Sequence, residues 1–549
     1  GPDGLRPKVL QNLGWVAICL LTDIYRESIA SSTIPNSFLH MKVIFLPKDK
    51  PDKSSPKSYR PITLSSFFLK GLERIIQWHW QETILREPLP NQHAYTRGRS
   101  CDTALSEVVD RLERGKQNKD HTLLVSLDCS GAFDNLTYDS SVRALTRAGV
   151  SPTLTNWYRE LLSKRVVDSE MYGLTRTIYP IRGSPQGGVL SPLVWNLAIN
   201  EFLETFRNER VLGRYCIKAV GYADDVLLMG QGCDPSYLVR QMQLSINEAV
   251  RWANQNGLNY NPHKTVCCFL HPGTRNYTYP RLRIGRTNLT FSRTVKYLGI
   301  TIEKSLSWTT HIKDKCLKTK RLLHATKRAV GREWGLTPDK LVWIHKAIIR
   351  PQISFGSLVW SHRVTRGQRI LLDSVQRQTL LSLTHSMRST PTAGMEAVLG
   401  IPPLHLHCQE VALKTAYRLH VTQKWVNQFN IKAHRDFHLR DLLAILPPGC
   451  RAPPSVFRVN RLTQNHTPQP SPLTVYTDGS KEGNRTGYGW CITYGDDVLV
   501  EHSTPLDPYS TVFMSEMMAL VDSLHKLKDW LVEEGSGGAT IWTDSRSSI

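Results

Sequence analysis

Asp224 and Asp225 are adjacent carboxylates at the tip of an apolar segment, with Val220 before them and Val226, Leu227, Leu228 and Met229 after. That order predicts strand, tight turn, strand, with both acids presented at the turn. Adjacent carboxylates repel each other and gain nothing from packing, so a chain holds them side by side where a cation sits between them. The alternative is a solvated surface turn, in which aspartate is common. A third acid shifts the balance. Thr122-Leu123-Leu124-Val125-Ser126-Leu127 is a short apolar run of strand type that ends at Asp128, and Cys129-Ser130-Gly131-Ala132-Phe133-Asp134 turns out of it. A carboxylate ending a buried strand and a pair on a hairpin can meet on one sheet. Such hard oxygen ligands suit Mg²⁺. Two such ions, about 3.5–4 Å apart, clamp the attacking and leaving oxygens of an in-line phosphoryl displacement.

The elements that would position these acids follow from the surrounding pattern. Residues 1–306 alternate apolar helical stretches with short strand-like runs, which predicts an α/β arrangement. Between Asp128 and the acid pair lies Arg182-Gly183-Ser184-Pro185-Gln186-Gly187-Gly188-Val189-Leu190-Ser191-Pro192. Its glycines let a ligand approach the backbone closely, Gln186 can hydrogen-bond from the loop, and Ser191-Pro192 opens an apolar helix from Leu193 to Phe202. Residues 307–420 read as mostly helical. Leu322, Ala325, Ala329 and Val330 recur at helical spacing among Lys313, Lys315, Lys318, Lys320, Arg321, Lys327, Arg328 and Arg332. With so few acids interleaved, this face predicts phosphate contact rather than simple solvation. Pro447-Pro448-Gly449 opens a proline-rich stretch that ends at Pro472 and reads as a linker. Leu473-Thr474-Val475-Tyr476-Thr477-Asp478 then starts a new strand and a new domain.

Charge points the same way. The 549 residues carry a net charge of +22, but residues 473–549 hold twelve acids and five bases, leaving +29 for the first 472. An excess of this size favours a polyanionic partner such as nucleic acid. Eleven scattered cysteines without a CxxC pair predict a reducing compartment rather than a disulfide framework. His405-Leu406-His407-Cys408 has no second cluster to complete a metal site. The apolar run Trp15–Leu21 is too short to span a bilayer, and no membrane partner is expected.

The order of segments resembles the reverse transcriptases of non-LTR (LINE-type) retrotransposons, over almost the whole chain. Pro2-Asp3-Gly4 looks like the family's opening motif. Leu46-Pro47-Lys48 and Ser58-Tyr59-Arg60-Pro61-Ile62 are similar to its fingers motifs, and Gln92-His93-Ala94-Tyr95 through Gly98-Arg99-Ser100 to the next one. Asp128 to Asp134, Pro185-Gln186-Gly187 and Tyr222 to Asp225 resemble the three central palm motifs. Gly257-Leu258 with Asn261 and Lys264 follows as the fourth. Lys296-Tyr297-Leu298-Gly299 resembles the primer grip, and Leu306-x-Trp308-x-x-His311-Ile312 is a LINE-like feature beyond it.

The resemblance implies a right-hand polymerase with an α+β palm, fingers and a helical thumb, transferring nucleotides from dNTPs to a primer 3′-hydroxyl on an RNA template. Asp128, Asp224 and Asp225 would bind two Mg²⁺ ions, with Mn²⁺ as the substitute. Phe133 would exclude a 2′-hydroxyl, or is a core phenylalanine. Arg60 and Lys48 would hold the incoming triphosphate, or are fingers-surface charges. Gln186 would touch the templating base or the nucleotide. Lys264 would protonate pyrophosphate, or sits exposed.

A second resemblance, to RNase H, rests on Asp478-Gly479-Ser480, Gly487-Tyr488-Gly489, Ser515-Glu516-Met517 and Thr543-Asp544-Ser545. It implies a carboxylate set of Asp478, Glu516 and Asp544. The sequence stops at Ile549, so a C-terminally truncated nuclease domain with doubtful activity is expected, in a fragment of a longer element-encoded polyprotein. The expected organisation is fingers and palm over 1–306, thumb and connection over 307–446, linker over 447–472, and a partial RNase H-like α/β domain over 473–549. The partners would be RNA template, DNA primer or target, and dNTPs. The workplace would be the nucleus, where the primer is nicked chromosomal DNA. The rival expectations are an inactive nucleic-acid-binding remnant, a viral RNA-dependent RNA polymerase, and a domesticated host protein.

Overall fold

The structure is a computed structural model. It describes residues 2–48, 54–55, 58–85, 89, 91–171, 174–206, 217–270, 281–327, 337–384, 386–421, 473–483, 485–507, 510–534 and 539–543. The chain divides into two compact units, Gly1–Phe437 and His438–Ile549. The proline-rich stretch, Ala329, Val330 and Asp544 lie outside the described residues.

In the first unit the strands are β1 (His40–Pro47), β2 (Tyr59–Leu64), β3 (His121–Asp128), β4 (Val166–Met171), β5 (Leu174–Ile178), β6 (Ile217–Tyr222), β7 (Asp225–Gly232) and β8 (Val266–Leu270). Short strands β9 (Arg283–Ile284), β10 (Thr287–Asn288), β11 (Thr290–Phe291), β12 (Thr294–Tyr297) and β13 (Ile300–Glu303) follow. They build a four-stranded sheet ordered β2-β1-β4-β5 and a five-stranded sheet ordered β11-β8-β3-β7-β6. The β12–β13 and β9–β10 pairs stand apart from both sheets.

The centre of the five-stranded sheet is β3, and its sequence explains its place. Leu123, Val125 and Leu127 point into one core, shared with Ile199 and Phe202 of the helix Ser191–Glu204 and with Leu238, Met242 and Ile246 of the helix Pro235–Gln255. Leu124 points to the other face. It meets a second core that contains Leu105, Val108 and Leu112 of the helix Cys101–Gln117 and Tyr297, Ile300 and Trp308. Burial on both faces is why this strand reads as a continuous apolar run rather than an alternating one. The helix Cys101–Gln117 begins at a capping box in which Ser100 and Thr103 bond reciprocally. Beyond β13 the described residues to 421 are mostly helical, including Thr309–Lys327, Arg366–Thr384 and Leu404–Val421.

The second unit is a four-stranded sheet ordered β16-β15-β14-β17, from β14 (Leu473–Glu482), β15 (Arg485–Tyr494), β16 (Asp497–Leu506) and β17 (Thr540–Thr543). The first three pair antiparallel and β17 joins β14 in parallel. The helix Val512–Glu534 packs on this sheet through Ala519 and Leu527, against Val475, Trp490 and Ile492.

Candidate functional site

The acids converge through strand register. Asp128 ends β3, Asp225 begins β7, and the two are direct cross-strand partners. Tyr222 pairs with Asp225 across the β6–β7 hairpin, leaving Ala223 and Asp224 as its two-residue turn. Ala223 takes φ +55°, the left-handed conformation that short hairpin turns demand and that an alanine adopts only under constraint. The predicted strand–turn–strand and the strand ending at Asp128 are therefore both observed.

The electrostatics record this crowding. Asp225 is exposed at the start of β7, but the atoms around it still desolvate its carboxyl, and Asp224 and Asp128 repel a second charge. Its carboxyl is pushed up to about 6. Asp224 is raised by the same desolvation and by Asp128, while Arg60 opposes the rise. Burial and the same two acids push the neighbouring Cys129 thiol up to about 12, so it is a neutral wall of the site and not a nucleophile. Lys264 Nζ lies 3.3 Å from Asp128 Oδ2, an ion pair without hydrogen-bond alignment, because that buried oxygen has no hydrogen-bond donor. Lys264 is thus both exposed and paired.

The fourth motif explains how the lysine arrives there. Asn261 donates its backbone N–H to the Asp128 carbonyl at 2.9 Å, and Ser130 donates to the Asn259 carbonyl at 3.0 Å. The segment carrying Lys264 is thereby stitched along the end of β3. The primer-grip segment forms the β12–β13 hairpin, and the Tyr297 hydroxyl donates to the Val220 carbonyl beneath the acidic turn.

The glycine-rich loop is anchored on two sides. Ser184 and Gly183 donate to the carbonyls of Phe133 and Leu136, and the Thr63 N–H of β2 donates to the Gln186 carbonyl at 2.8 Å. Gly187 has φ +126°, and a Cβ there would lie 2.5 Å from the Thr63 carbonyl oxygen, so only glycine fits. Gln186 is half-buried in this loop. Phe133 is half-buried with its ring 5.6 Å from that of Trp195, in a tilted ring pair. Arg60 is exposed on β2 within electrostatic reach of Asp224, and Lys48 stands within reach of Asp134.

Two supporting groups escaped the sequence reading. Glu73 is buried in the helix Phe67–Thr83 and accepts from the Val189 and Leu190 N–H groups, where the helix Ser191–Glu204 begins. A carboxylate at a helix N-terminus offsets part of its burial cost, but desolvation still wins and pushes Glu73 up to about 7. Arg165 is buried and donates to the carbonyls of Leu162, Arg182 and Gly183, holding the start of the same loop. The signal for Glu73 was legible: it lies on the stripe Leu69, Leu72, Ile76 and Trp80, where an acid is out of place unless partnered.

Among the described residues, no three carboxylate, imidazole or thiolate groups form a ready-closed ion cage. His405 pairs with Asp373, His407 with Glu410, and Cys408 is buried in the core. In the second unit Asp478 is exposed on β14 and Glu516 is buried on the helix Val512–Glu534. Gly479 lets that helix close in: a Cβ there would lie 2.4 Å from the Glu516 nitrogen.

Residues 47–302 match the family described as reverse transcriptase (RNA-dependent DNA polymerase). That span holds the palm acids, the glycine-rich loop and the primer grip. That part of the chain is similar to reverse transcriptases, and the relatives it resembles come from non-LTR retrotransposons. It is 28% identical over 420 residues to a 115 kDa protein in type-1 retrotransposable element R1DM of Drosophila melanogaster, covering 75% of this chain and 39% of that one. It is 25% identical to the Pol polyprotein from type-1 element R1 of Bradysia coprophila, over 77% and 41% of the two chains. It is 22% identical to the RNA-directed DNA polymerase from mobile element jockey of Drosophila melanogaster, over 77% and 46%. The chain thus spans less than half the length of each of these relatives. An overlay on telomerase from Candida albicans reaches a TM-score of 0.33 at 12% identity, over 69% of this chain and 68% of that one. The resemblance rests on the sequence match over residues 47–302. Members of the family act on nucleic acid and dNTPs and use divalent metal. Among the described residues no helix is long and apolar enough to cross a membrane.

Proposed function

We propose that the chain is an RNA-directed DNA polymerase that extends a primer 3′-hydroxyl with dNTPs on an RNA template. The observation that carries the reading is the cross-strand pairing of Asp128 with Asp225 beside Asp224 on the hairpin. These carboxylates fit a divalent cation in charge and donor type: Lys264 and Arg60 offset only part of their mutual repulsion, and among the described residues a buried Asp128 oxygen has no hydrogen-bond donor. Two bound Mg²⁺ ions, or Mn²⁺ in their place, would activate the hydroxyl and neutralise the departing pyrophosphate. Arg60 and Lys48 flank the acids from the fingers side and bind the triphosphate. Phe133 meets the sugar and rejects a 2′-hydroxyl. Gln186 contacts the templating base or the nucleotide. Lys264 supplies the proton to pyrophosphate from beside Asp128.

The remaining assignments rest on the same reading. Residues 1–306 serve as fingers and palm, 307–446 as thumb and connection, 447–472 as linker, and 473–549 as an RNase H-like domain with Asp478, Glu516 and Asp544 as its acids. The work takes place in the nucleus, on nicked chromosomal DNA. The test is primer extension on an RNA template with Mg²⁺, comparing the parent with Asp225→Asn. Extension by the parent alone is the expected result. Equal extension by both removes these acids from the chemistry, and RNA binding without extension by the parent identifies an inactive remnant. Supplying rNTPs in place of dNTPs separates this activity from an RNA polymerase.

A further inference from the structure

The acidic turn is held by a residue far from it in sequence. Ala223 is buried, its φ of +55° is strained, and its N–H points into the protein. Gln92, fully buried, receives that N–H on its side-chain Oε1 at 3.1 Å, and the same oxygen accepts from the Ala94 N–H at 3.0 Å. Two backbone donors on one atom fix which end of the amide is the carbonyl. The other end, Nε2, is buried without a hydrogen-bond partner among the described residues. Leaving a buried donor unmade is costly, so the side chain is kept for its acceptor.

The arm that carries Gln92 is anchored independently of the turn. Asn91 and His93 add to the edge of β6, with Gly221 N–H donating to the Asn91 carbonyl at 2.8 Å and His93 N–H to the Gly221 carbonyl at 2.9 Å. The Arg99 guanidinium bonds the Leu89 and Gln92 carbonyls at 2.8 and 2.6 Å. Asn196 bonds the Ala94 carbonyl at 2.7 Å, and the His93 ring is held between Thr103 and Glu107. The arm therefore meets the hairpin at Gly221 on β6 and, through the Gln92 side chain, at Ala223, one residue before Asp224.

We propose that Gln92 is a positioning residue that fixes Asp224 for nucleotide transfer by accepting the Ala223 N–H. Without the acceptor, the amide is left buried and unpaired, the left-handed turn loses its restraint, and Asp224 drifts. The proposal rests on Asp224 belonging to the reacting site.

The test uses the full chain with Gln92→Met, which keeps volume but no acceptor, and Gln92→Glu, whose carboxyl in its neutral form keeps the acceptor oxygen in the same shape. Displacements of about 1 Å cost on the order of 10²-fold in rate, so the Met variant should lose about that in kcat, with dNTP KM and RNA affinity within roughly threefold of the parent. The Glu variant should retain kcat within roughly threefold. Hydrogen exchange at the Ala223 amide should speed up by at least about tenfold in the Met variant and stay slow in the Glu variant. The proposal is overturned if the Met variant keeps its kcat, if Met and Glu lose equally, if Ala223 exchange is unchanged, or if the Met variant unfolds outright. Exchange is read without turnover. An Asp224→Asn enzyme that still extends primers would therefore sink the site assignment separately from the role of Gln92.

Discussion

The five-stranded sheet of the first unit and the four-stranded sheet of the second both carry acids, but they hold them differently. In the first, Asp128 and Asp225 sit at strand ends, opposite each other, with Asp224 on the turn between β6 and β7. In the second, Asp478 lies mid-strand and exposed, and Glu516 comes from a helix start let in by Gly479. The surroundings differ in sign as well, +29 over residues 1–472 against −7 over 473–549. A polyanion is drawn to the first environment and repelled by the second. Acids that crowd one another inside a basic half are costly unless cations and phosphates arrive together, and perturbed carboxyls of this kind are concentrated at functional sites in general.

The comparison is broken most directly at Asp128. Asp128→Asn should lower primer extension by about 10³-fold or more, the scale of removing a key electrostatic stabiliser. The matched change Asp478→Asn should leave extension within roughly threefold. Equal losses from the two would erase the distinction. Next is Lys264→Ala, expected to cost about 10²-fold in kcat, the low end for general acid catalysis. Lys264→Arg should not restore it, because a guanidinium does not release its proton. If arginine rescues, the lysine only balances Asp128. Gly187→Ala is expected to cost about tenfold in kcat, since its Cβ meets the Thr63 carbonyl and displaces the loop. A variant indistinguishable from the parent would show the loop to be slack.

The smallest effect concerns pH and stability. The Glu73 carboxyl stands at about 7 in the folded chain against an ordinary 4.5, so the folded state holds its proton more tightly than the unfolded one. Its favourable contribution is complete below pH about 4.5 and is lost as pH rises through about 7. Thermal unfolding across that window should show a falling Tm in the parent and a flatter profile in Glu73→Gln. Identical profiles would mean that Glu73 does not titrate there.

Much of the reacting centre was legible in the sequence because it is built from local pattern. The apolar run ending at Asp128, the paired acids between two apolar runs, and Ser191-Pro192 before an apolar helix each carry their own signal, and each is observed as an element. The family resemblance rested on the same residues. The roles of the supports were not legible, although Gln92 and Arg99 stand in a motif and Glu73 breaks an apolar stripe. Gln92, Arg165 and Arg99 are polar side chains whose burial depends on segments brought together only in three dimensions, and no periodicity announces a hydrogen bond across 131 residues. Lys264 lay between: its type and spacing were visible, but its pairing with Asp128 depends on the Asn261 N–H reaching the end of β3. In the second unit the strand from Leu473 was visible for the reason β3 was, whereas the fate of Asp544 lies outside the described residues.

Because Asp128 and Asp225 face each other across the β3–β7 ladder, the charge cluster is a property of alignment as much as of acidity. Sliding β7 by a single position would swap the residues it presents to the two cores, Leu227 for Leu228, and send the two carboxylates to opposite sides of the sheet. Leu123, Leu124 and Val125, buried on both faces several residues from any acid, therefore guard the reaction by making that slip too expensive.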